Sequence, residues 1–305
     1  MGRKPLGFED SASDGSAKRR RPISVRVTPV TKPGTSQETP RSGRDKSPML
    51  KQNAGRDSRE KKYNKKRVKL LEELAISEPV GEIPPIIGES LEDIAEDLPE
   101  CCSRELIEKL TAPANRFRMH VEAIELVASE LDKNPDTLGF VADVLFRWAA
   151  CRIEDSKTPP TVLVKLATFV SSMCEILMSS GIKITEYEAS AVIPPLVEKC
   201  GSNRETVREA MRAALLSVAD IIQEDVLLIM YTSCLRQPMS ERAHNEISVE
   251  ICQLIDKRCN AGAGFRREFC LSSVLLRVVR MMVLVVPPQP VLKGLMSTLA
   301  TIYGP

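Results

Sequence analysis

One pattern recurs along most of the chain: an amphipathic apolar segment, a short polar turn and a second amphipathic segment. In residues 205–222, for example, Val207, Met211 and Ala214 follow spacings of four and three, which place them on one helix face. The turns fall near residues 114, 157, 202, 238 and 288, about 36 to 50 residues apart. No alternating strand pattern follows residue 80. The sequence therefore predicts an all-α protein built from stacked helical hairpins.

The length of the repeat distinguishes between solenoid classes. HEAT and armadillo repeats run about 40–47 residues, whereas tetratricopeptide and ankyrin repeats run about 33–34. The predicted fold class is consequently an all-α HEAT-repeat α-solenoid of five or six hairpins. Because each hairpin buries its apolar faces against its neighbours only, the within-hairpin turns align along one side. We call this side the turn edge, formed by the turns near residues 114, 157, 202, 238 and 288.

Local signals around the third turn predict where its two helices meet. Ser202 and Glu205 have the spacing of a capping box, so the stretch GSNRE predicts the start of a helix. Pro194 and Pro195 lie within the preceding apolar segment, and they predict a kink or a later start for that helix.

Charge divides the chain into a basic arm and an acidic body. Residues 1–70 carry 20 Lys and Arg against 7 Asp and Glu, a net charge of +13, whereas residues 71–305 have a net charge of −11. The arm is rich in Ser, Pro and Gly and has few apolar residues, which predicts disorder. Lys18–Pro22 reads KRRRP, which fits a nuclear import signal and a merely solvated basic run equally well. Basic arms seek acidic partners such as nucleic acid, anionic membranes or acidic proteins.

These observations give three predicted regions: a disordered basic arm or linker (1–70), a lead-in that has room for one extra N-terminal helix (71–102), and the repeat domain (103–305).

Composition argues against several classes of function. No apolar run reaches the roughly 18 residues of a membrane span, and the N-terminus lacks the apolar core of a signal peptide. The nine cysteines form no CxxC pair, which favours reduced thiols in a core. The two histidines, His120 and His244, have no metal-ligand spacing, and no phosphate-binding loop is present. We therefore expect no enzyme activity, metal site, cofactor, small-molecule substrate or membrane partner.

The turn edge is basic at four of its five turns although the body is acidic. For any single turn, a solvated helix face is the simpler interpretation. The coincidence over four turns favours a binding edge for an acidic protein, with Phe117 as a candidate aromatic anchor. The polar and basic residues that this pattern selects are Arg118, Lys157, Asn203, Arg204, Arg208, Ser240 and Arg242.

Residues 159–216 also carry a family resemblance. The stretches PPTVLVK, ITEYEASAVIPPLVEKCG and VREAMRAALL are similar, in register, to a TOG domain of the ch-TOG and mini spindles microtubule-polymerase family, most closely to its fifth TOG domain. The run REKKYNKKRVKLLEE (59–73) resembles the basic lead-in to that domain, and LMSTLATIY (295–303) more weakly resembles its last long helix. The resemblance implies a TOG-like paddle, which here lacks the family's final short helix.

The resemblance implies an αβ-tubulin-binding module that uses the within-hairpin turns. The fifth turn departs from the family pattern, because VVPPQPVLK has Leu292 where an Arg is expected. The positions that match the family's tubulin-binding turns are Phe117 in the first, Thr161, Val162 and Lys165 in the second, Arg204 and Arg208 in the third, and Ser240 and Arg242 in the fourth.

Two functions remain open from the sequence. The first is a tubulin and microtubule-binding module that regulates microtubule dynamics and spindle organisation in the cytoplasm and cytoskeleton, at spindle poles or centrosomes, alongside other plus-end or centrosomal proteins. The alternative is a nuclear HEAT-type scaffold whose basic arm binds nucleic acid or an import receptor.

Overall fold

The chain divides into two units, Met1–Asp45 and Lys46–Pro305. The structure, a computed structural model, describes residues 49–51, 55–77, 90–235, 237–260 and 300, all within the second unit. The ten helices of these ranges are α1 Arg56–Ser77, α2 Leu91–Cys101, α3 Arg104–Leu110, α4 Phe117–Lys133, α5 Leu138–Glu154, α6 Pro160–Ser179, α7 Glu186–Cys200, α8 Glu205–Ile221, α9 Glu224–Cys234 and α10 Glu241–Asn260. A 3₁₀ turn, Pro135–Thr137, connects α4 to α5.

Four helical hairpins make up the described body: α3 with α4, α5 with α6, α7 with α8, and α9 with α10. The first helices of successive hairpins pack side by side (α5 on α7, α7 on α9), and so do the second helices (α4 on α6, α6 on α8). Over the described ranges, β-structure is limited to one isolated bridge between Leu50 and Cys102. The predicted all-α class and the hairpin solenoid are therefore confirmed. The predicted fifth hairpin lies outside the described residues.

One continuous apolar core runs along the stack, because each helix turns an apolar face to the next. By length and composition alone, α6 is long and apolar enough to cross a membrane, but half of its most apolar window is buried inside the body. We therefore interpret α6 as a core helix. The prediction of buried thiols fits the described cysteines, of which Cys151 and Cys252 are half-buried and five others are buried.

Helix starts differ in two places from the sequence prediction. Pro194 and Pro195 do not delay α7, which begins at Glu186 behind a capping box of Thr185 and Glu188. The predicted capping box at Ser202 is wrong, because α8 has Arg204 at its N-cap without a side-chain cap. Ser202 Oγ instead accepts a hydrogen bond from Arg204 N (3.3 Å), two residues on, as in an ST-turn.

The predicted arm ends earlier than residue 70, since α1 starts at Arg56 and packs on α5 and α7. Arg59 forms a buried bidentate pair with Asp143, with Nε–Oδ2 at 2.6 Å and Nη2–Oδ1 at 2.7 Å. Arg56 Nη2 donates to Glu188 Oε2 (2.7 Å), and the Tyr63 hydroxyl lies 2.6 Å from Ser190 Oγ. Sequence reasoning missed this helix because Arg56 and Arg59, which hold it to the body, look like solvated cations in the sequence. Residues 1–48, with the KRRRP stretch, lie outside the described residues.

Within residues 71–102, the described helix α2 spans Leu91–Cys101. Its capping box, Ser90 with Asp93, fixes its start. Lys62 and Lys66 of α1 face Glu96 and Asp93 of α2, at 3.5 and 3.6 Å, so the basic face of α1 meets an acidic face of α2.

Candidate protein-interaction edge

The four described within-hairpin turns lie at one side of the stack, because successive helices run in opposite directions. These turns are 111–116, 155–159, 201–204 and 235–240, close to the predicted positions. Arg236 of the fourth turn and the whole fifth turn, including Leu292, lie outside the described residues.

The first turn presents one aromatic residue among exposed polar ones. Phe117 begins α4 and is half-buried, with its ring packed against the core. Asn115, Arg116 and Arg118 are exposed, and Arg118 Nε lies 3.4 Å from Glu122 Oε1 on the next helical turn. Part of the Phe117 ring is therefore fixed by the core, and the rest remains accessible to solvent.

Three buried side chains hold the first turn from below. Trp148 Nε1 donates to Leu110 O (2.9 Å), and Arg152 Nη2 donates to Leu110 O (2.9 Å) and Ala112 O (2.7 Å). His120 Nε2 also donates to Ala112 O (3.0 Å). Sequence reasoning placed Trp148 in the core and overlooked Arg152. The signal available was their i, i+4 spacing, which puts a cation beside a core aromatic on one face of α5.

The buried His120 predicts a pH-dependent stability. Burial lowers the pKa of His120 below its ordinary value of 6.5, so below that pH the unfolded chain binds a proton that the folded protein does not. Burial lowers the pKa of His244 as well, with the same sign. We expect the free energy of unfolding to fall as the pH decreases from about 6.5 towards the lower pKa of the folded protein.

Urea unfolding at about pH 7.5, 6.0 and 5.0 checks this expectation. His120→Gln keeps an N–H donor for Ala112 O but does not titrate, so its stability should depend less on pH than that of the wild type. Equal slopes for the two proteins would contradict the assignment to His120.

The second turn exposes Lys157 and Thr161, whereas Val162 is buried with 5% of its surface exposed. This corrects the expectation that the Val162 side chain belongs to the exposed edge. Helix α6 begins at Pro160, and at the third residue of the helix the β-branched side chain of Val162 points into the core. Lys165 is exposed, and its Nζ lies 3.1 Å from Glu125 Oε1 of α4.

The third and fourth turns pack directly against each other. A Cβ on Gly201 would lie 2.2 Å from Ser240 Oγ and 2.8 Å from Ala243 N, so only glycine permits this approach. Ser202 O accepts hydrogen bonds from Arg208 Nη1 (3.0 Å) and Arg242 Nη1 (3.4 Å). These two guanidinium groups are thus fixed partly by one carbonyl oxygen.

Asn203, Arg204 and Ser240 are exposed on the same two turns. Arg212, one helical turn further along α8, is ion-paired with Glu246 of α10. Its ion pair therefore distinguishes Arg212, which is also exposed, from the unpaired cations of the turn edge.

Within the described ranges, the side chains of Arg116, Lys157, Arg204 and Arg242 form no ion pair, and all four are exposed. Arg116, Lys157 and Arg204 lie in the first three turns, and Arg242 lies in α10 just after the fourth. The turn edge thus presents unneutralised positive charge next to a half-buried aromatic ring. Such a surface attracts an acidic macromolecule and offers it an apolar anchor point.

Comparison with known proteins gives matches to parts of long proteins. No family model matches the chain. It is 31% identical over 112 residues to MOR1 of Oryza sativa and 30% identical over 130 residues to MOR1 of Arabidopsis thaliana. The matches cover 37% and 43% of this chain and 6% of each MOR1 protein. Mini spindles of Drosophila melanogaster is 29% identical over 102 residues, which are 33% of this chain and 5% of that protein.

Two solved structures share the fold. One, described by the phrase "TOG-tubulin binding specificity promotes microtubule dynamics and mitotic spindle formation", has a TM-score of 0.56 at 20% identity and covers 81% of this chain and 99% of its own. The other, the TOG domain of Caenorhabditis elegans Zyg9, has a TM-score of 0.50 at 16% identity and covers 81% of this chain and 91% of its own. The described body therefore shares the fold of these two solved structures, one of them a TOG domain, and segments of the chain are similar in sequence to MOR1 and mini spindles.

Proposed function

We propose that this chain binds αβ-tubulin through the turn edge and thereby regulates microtubule dynamics. One structural neighbour is described in terms of TOG–tubulin binding, microtubule dynamics and spindle formation. The matched segments cover only 6% of the MOR1 proteins, so the proposal concerns one binding module and not the activity of a whole relative. We also propose that the described body is a TOG domain of the MOR1, mini spindles and Zyg9 family and that it corresponds to the fifth.

The observation that carries the proposal is the set of exposed, unpaired cations at successive turns. Arg116, Lys157, Arg204 and Arg242 hold their charges on one side of a body whose net charge is negative. The surface of tubulin is acidic, so a basic edge accelerates encounter and orients the complex. Phe117 adds an apolar contact with tubulin to these charge interactions, and aromatic residues and arginine dominate interface hot spots.

The remaining predicted site residues differ in how directly we propose that they contact tubulin. Arg208 is half-buried and hydrogen-bonded to Ser202 O, so it shapes the third turn while adding charge. Lys165 forms an ion pair with Glu125, so it can bind a partner only when an acidic group of that partner replaces the Glu125 carboxylate. The residues proposed to touch tubulin directly are Phe117, Arg118, Lys157, Thr161, Asn203, Arg204, Ser240 and Arg242.

Binding of this kind places the chain on microtubules, spindles and centrosomes, among other plus-end or centrosomal proteins. We include these locations and partners in the proposal. The domain proposed to act there includes α1, which Arg56, Arg59 and Tyr63 hold to the body, and residues 49–51, where Leu50 pairs with Cys102.

Size-exclusion chromatography of the full chain with αβ-tubulin tests the proposal. At about 50 mM salt the chain should co-elute with tubulin, and at about 300 mM the complex should weaken, because salt screens exposed charges. Tubulin whose acidic C-terminal tails have been removed separates binding to the tails from binding to the folded body. Absence of a complex at low salt would overturn the proposal.

A further inference from the structure

Arg152 contacts two turns of the turn edge at once. Its guanidinium group donates to Leu110 O and Ala112 O at the first turn. Its own backbone oxygen accepts a hydrogen bond from Thr158 Oγ1 (2.8 Å) of the second turn. Arg152 is 4% exposed and Thr158 is 8% exposed, so this connection lies beneath the surface that a partner would touch.

The connection also reaches the helix that carries the aromatic residue. Ala112 O accepts from both Arg152 and His120, and His120 lies three residues after Phe117 on α4. One carbonyl oxygen therefore ties α4 to the end of α5. Trp148, which shares Leu110 O with Arg152, stacks edge-on against His120 and against Phe169 of α6, with ring centroids 6.4 and 6.3 Å apart.

A buried cation is well suited to this position. Leu110 is the last residue of α3, so its carbonyl and that of Ala112 belong to a helix end that has no helical donors. A positive charge stabilises the negative end of the helix dipole. Among the described residues Arg152 forms no salt bridge, and its side chain donates hydrogen bonds to Leu110 O, at the end of α3, and to Ala112 O of the first turn. The hydrogen bonds of the Arg152 side chain therefore fix the first turn.

We infer that Arg152 is a positioning residue of the turn edge, which sets the first and second turns at a fixed separation so that Phe117 and Lys157 engage one partner together. This inference rests on the proposed tubulin binding, but it concerns a residue that does not touch tubulin. It predicts that Phe117 and Lys157 depend energetically on Arg152, whereas Arg204 on the third turn does not.

The first test measures the two turns without tubulin, by hydrogen–deuterium exchange of the full chain. Arg152→Met keeps the aliphatic length but removes the donors, so amides of 111–118 and 155–161 should exchange faster while those of 201–208 do not change. Arg147→Met is the matched control, because Arg147 is an equally buried arginine of α5 that pairs instead with Asp97 at 2.7 Å. Unchanged exchange at both turns in Arg152→Met would overturn the inference.

The second test measures tubulin affinity in double-mutant cycles. Arg152→Met alone should weaken binding about fivefold to tenfold. The loss caused by Phe117→Ala or Lys157→Ala should be smaller in the Arg152→Met protein than in the wild type, by about threefold or more. The loss caused by Arg204→Ala should be the same in both. Full additivity for Phe117 and Lys157 would overturn the inference, because a residue that only stabilises the fold produces no such selective coupling.

Thr158→Val provides a second route if Arg152→Met does not fold. Valine preserves the shape of threonine but cannot donate to Arg152 O, so the second turn should loosen and the coupling of Lys157 to Phe117 should decrease. If the energetic coupling between Lys157 and Phe117 is unchanged in Thr158→Val, the proposed connection through Arg152 is refuted. Lack of tubulin binding by the wild type would refute the proposed function alone, since the exchange experiment still decides whether Arg152 fixes the two turns.

Discussion

Replacement of Arg59 by alanine is expected to lower the free energy of unfolding by about 3–5 kcal/mol. The substitution leaves Asp143, which is 0% exposed, as a buried carboxylate without the bidentate partner that now neutralises it. It also removes the hydrogen bond from Arg59 Nη2 to Phe140 O (3.0 Å). Urea denaturation of the full chain, followed by circular dichroism, measures the effect.

Two variants identify the cause of this loss. Lys62 lies on the same helix as Arg59, and Lys62→Ala removes its exposed ion pair with Glu96 of α2. This variant should change stability by less than about 0.5 kcal/mol. Arg59→Met combined with Asp143→Leu removes both charges, and it should recover most of the stability because no buried charge is left unpaired. A loss under about 1 kcal/mol for Arg59→Ala would mean that α1 contributes little to the folded body.

Replacement of Arg204 by glutamate is expected to weaken tubulin binding about tenfold or more, with unchanged stability. Arg204 is exposed and stands at the N-cap of α8, where a negative side chain is favourable to the helix. The substitution reverses a charge in the middle of the proposed contact. The slope of binding against salt should also become shallower, since fewer charges attract tubulin.

Arg104→Glu is the matched control for this substitution. Arg104 is also exposed and at the N-terminus of a helix, α3, but it lies where one hairpin connects to the preceding helix, on the side away from the turn edge. It alters net charge by the same amount, so it should leave tubulin affinity within about twofold. Microscale thermophoresis of both variants gives the comparison. Equal losses would assign the effect to net charge and contradict a specific edge.

The helix positions followed from sequence because their signals are local. Apolar residues three and four apart on α8, such as Val207 and Met211, need no knowledge of a partner helix to define a buried face. Polar residues interrupt these apolar faces at each turn. The positions of the turns, and hence their alignment on one edge, could therefore also be predicted from the sequence. The similarity of residues 159–216 to TOG domains added the expectation of tubulin binding.

Contacts between distant residues did not follow from sequence. Arg59 looks like any solvated cation of a basic run, yet it meets Asp143 84 positions later. Val162 lies beside exposed Thr161 in sequence, but the rotation of α6 at its first turn buries it. The spacing of Arg152 from Trp148 places it on the core face of α5, but it does not reveal the hydrogen bonds to Leu110 O and Ala112 O. Every residue has a backbone carbonyl group, and only packing selects these two.

By itself, the sequence determined that the chain forms helical hairpins in a stack and that their turns are basic, because both properties depend on spacing and composition within short segments. Only the tertiary structure decided which charges remain free. It neutralises Arg59 and Arg212 against carboxylates of other helices and leaves Lys157 and Arg204 exposed. The physical reason is that ion pairing and burial depend on distances between helices, and packing of the whole body fixes those distances.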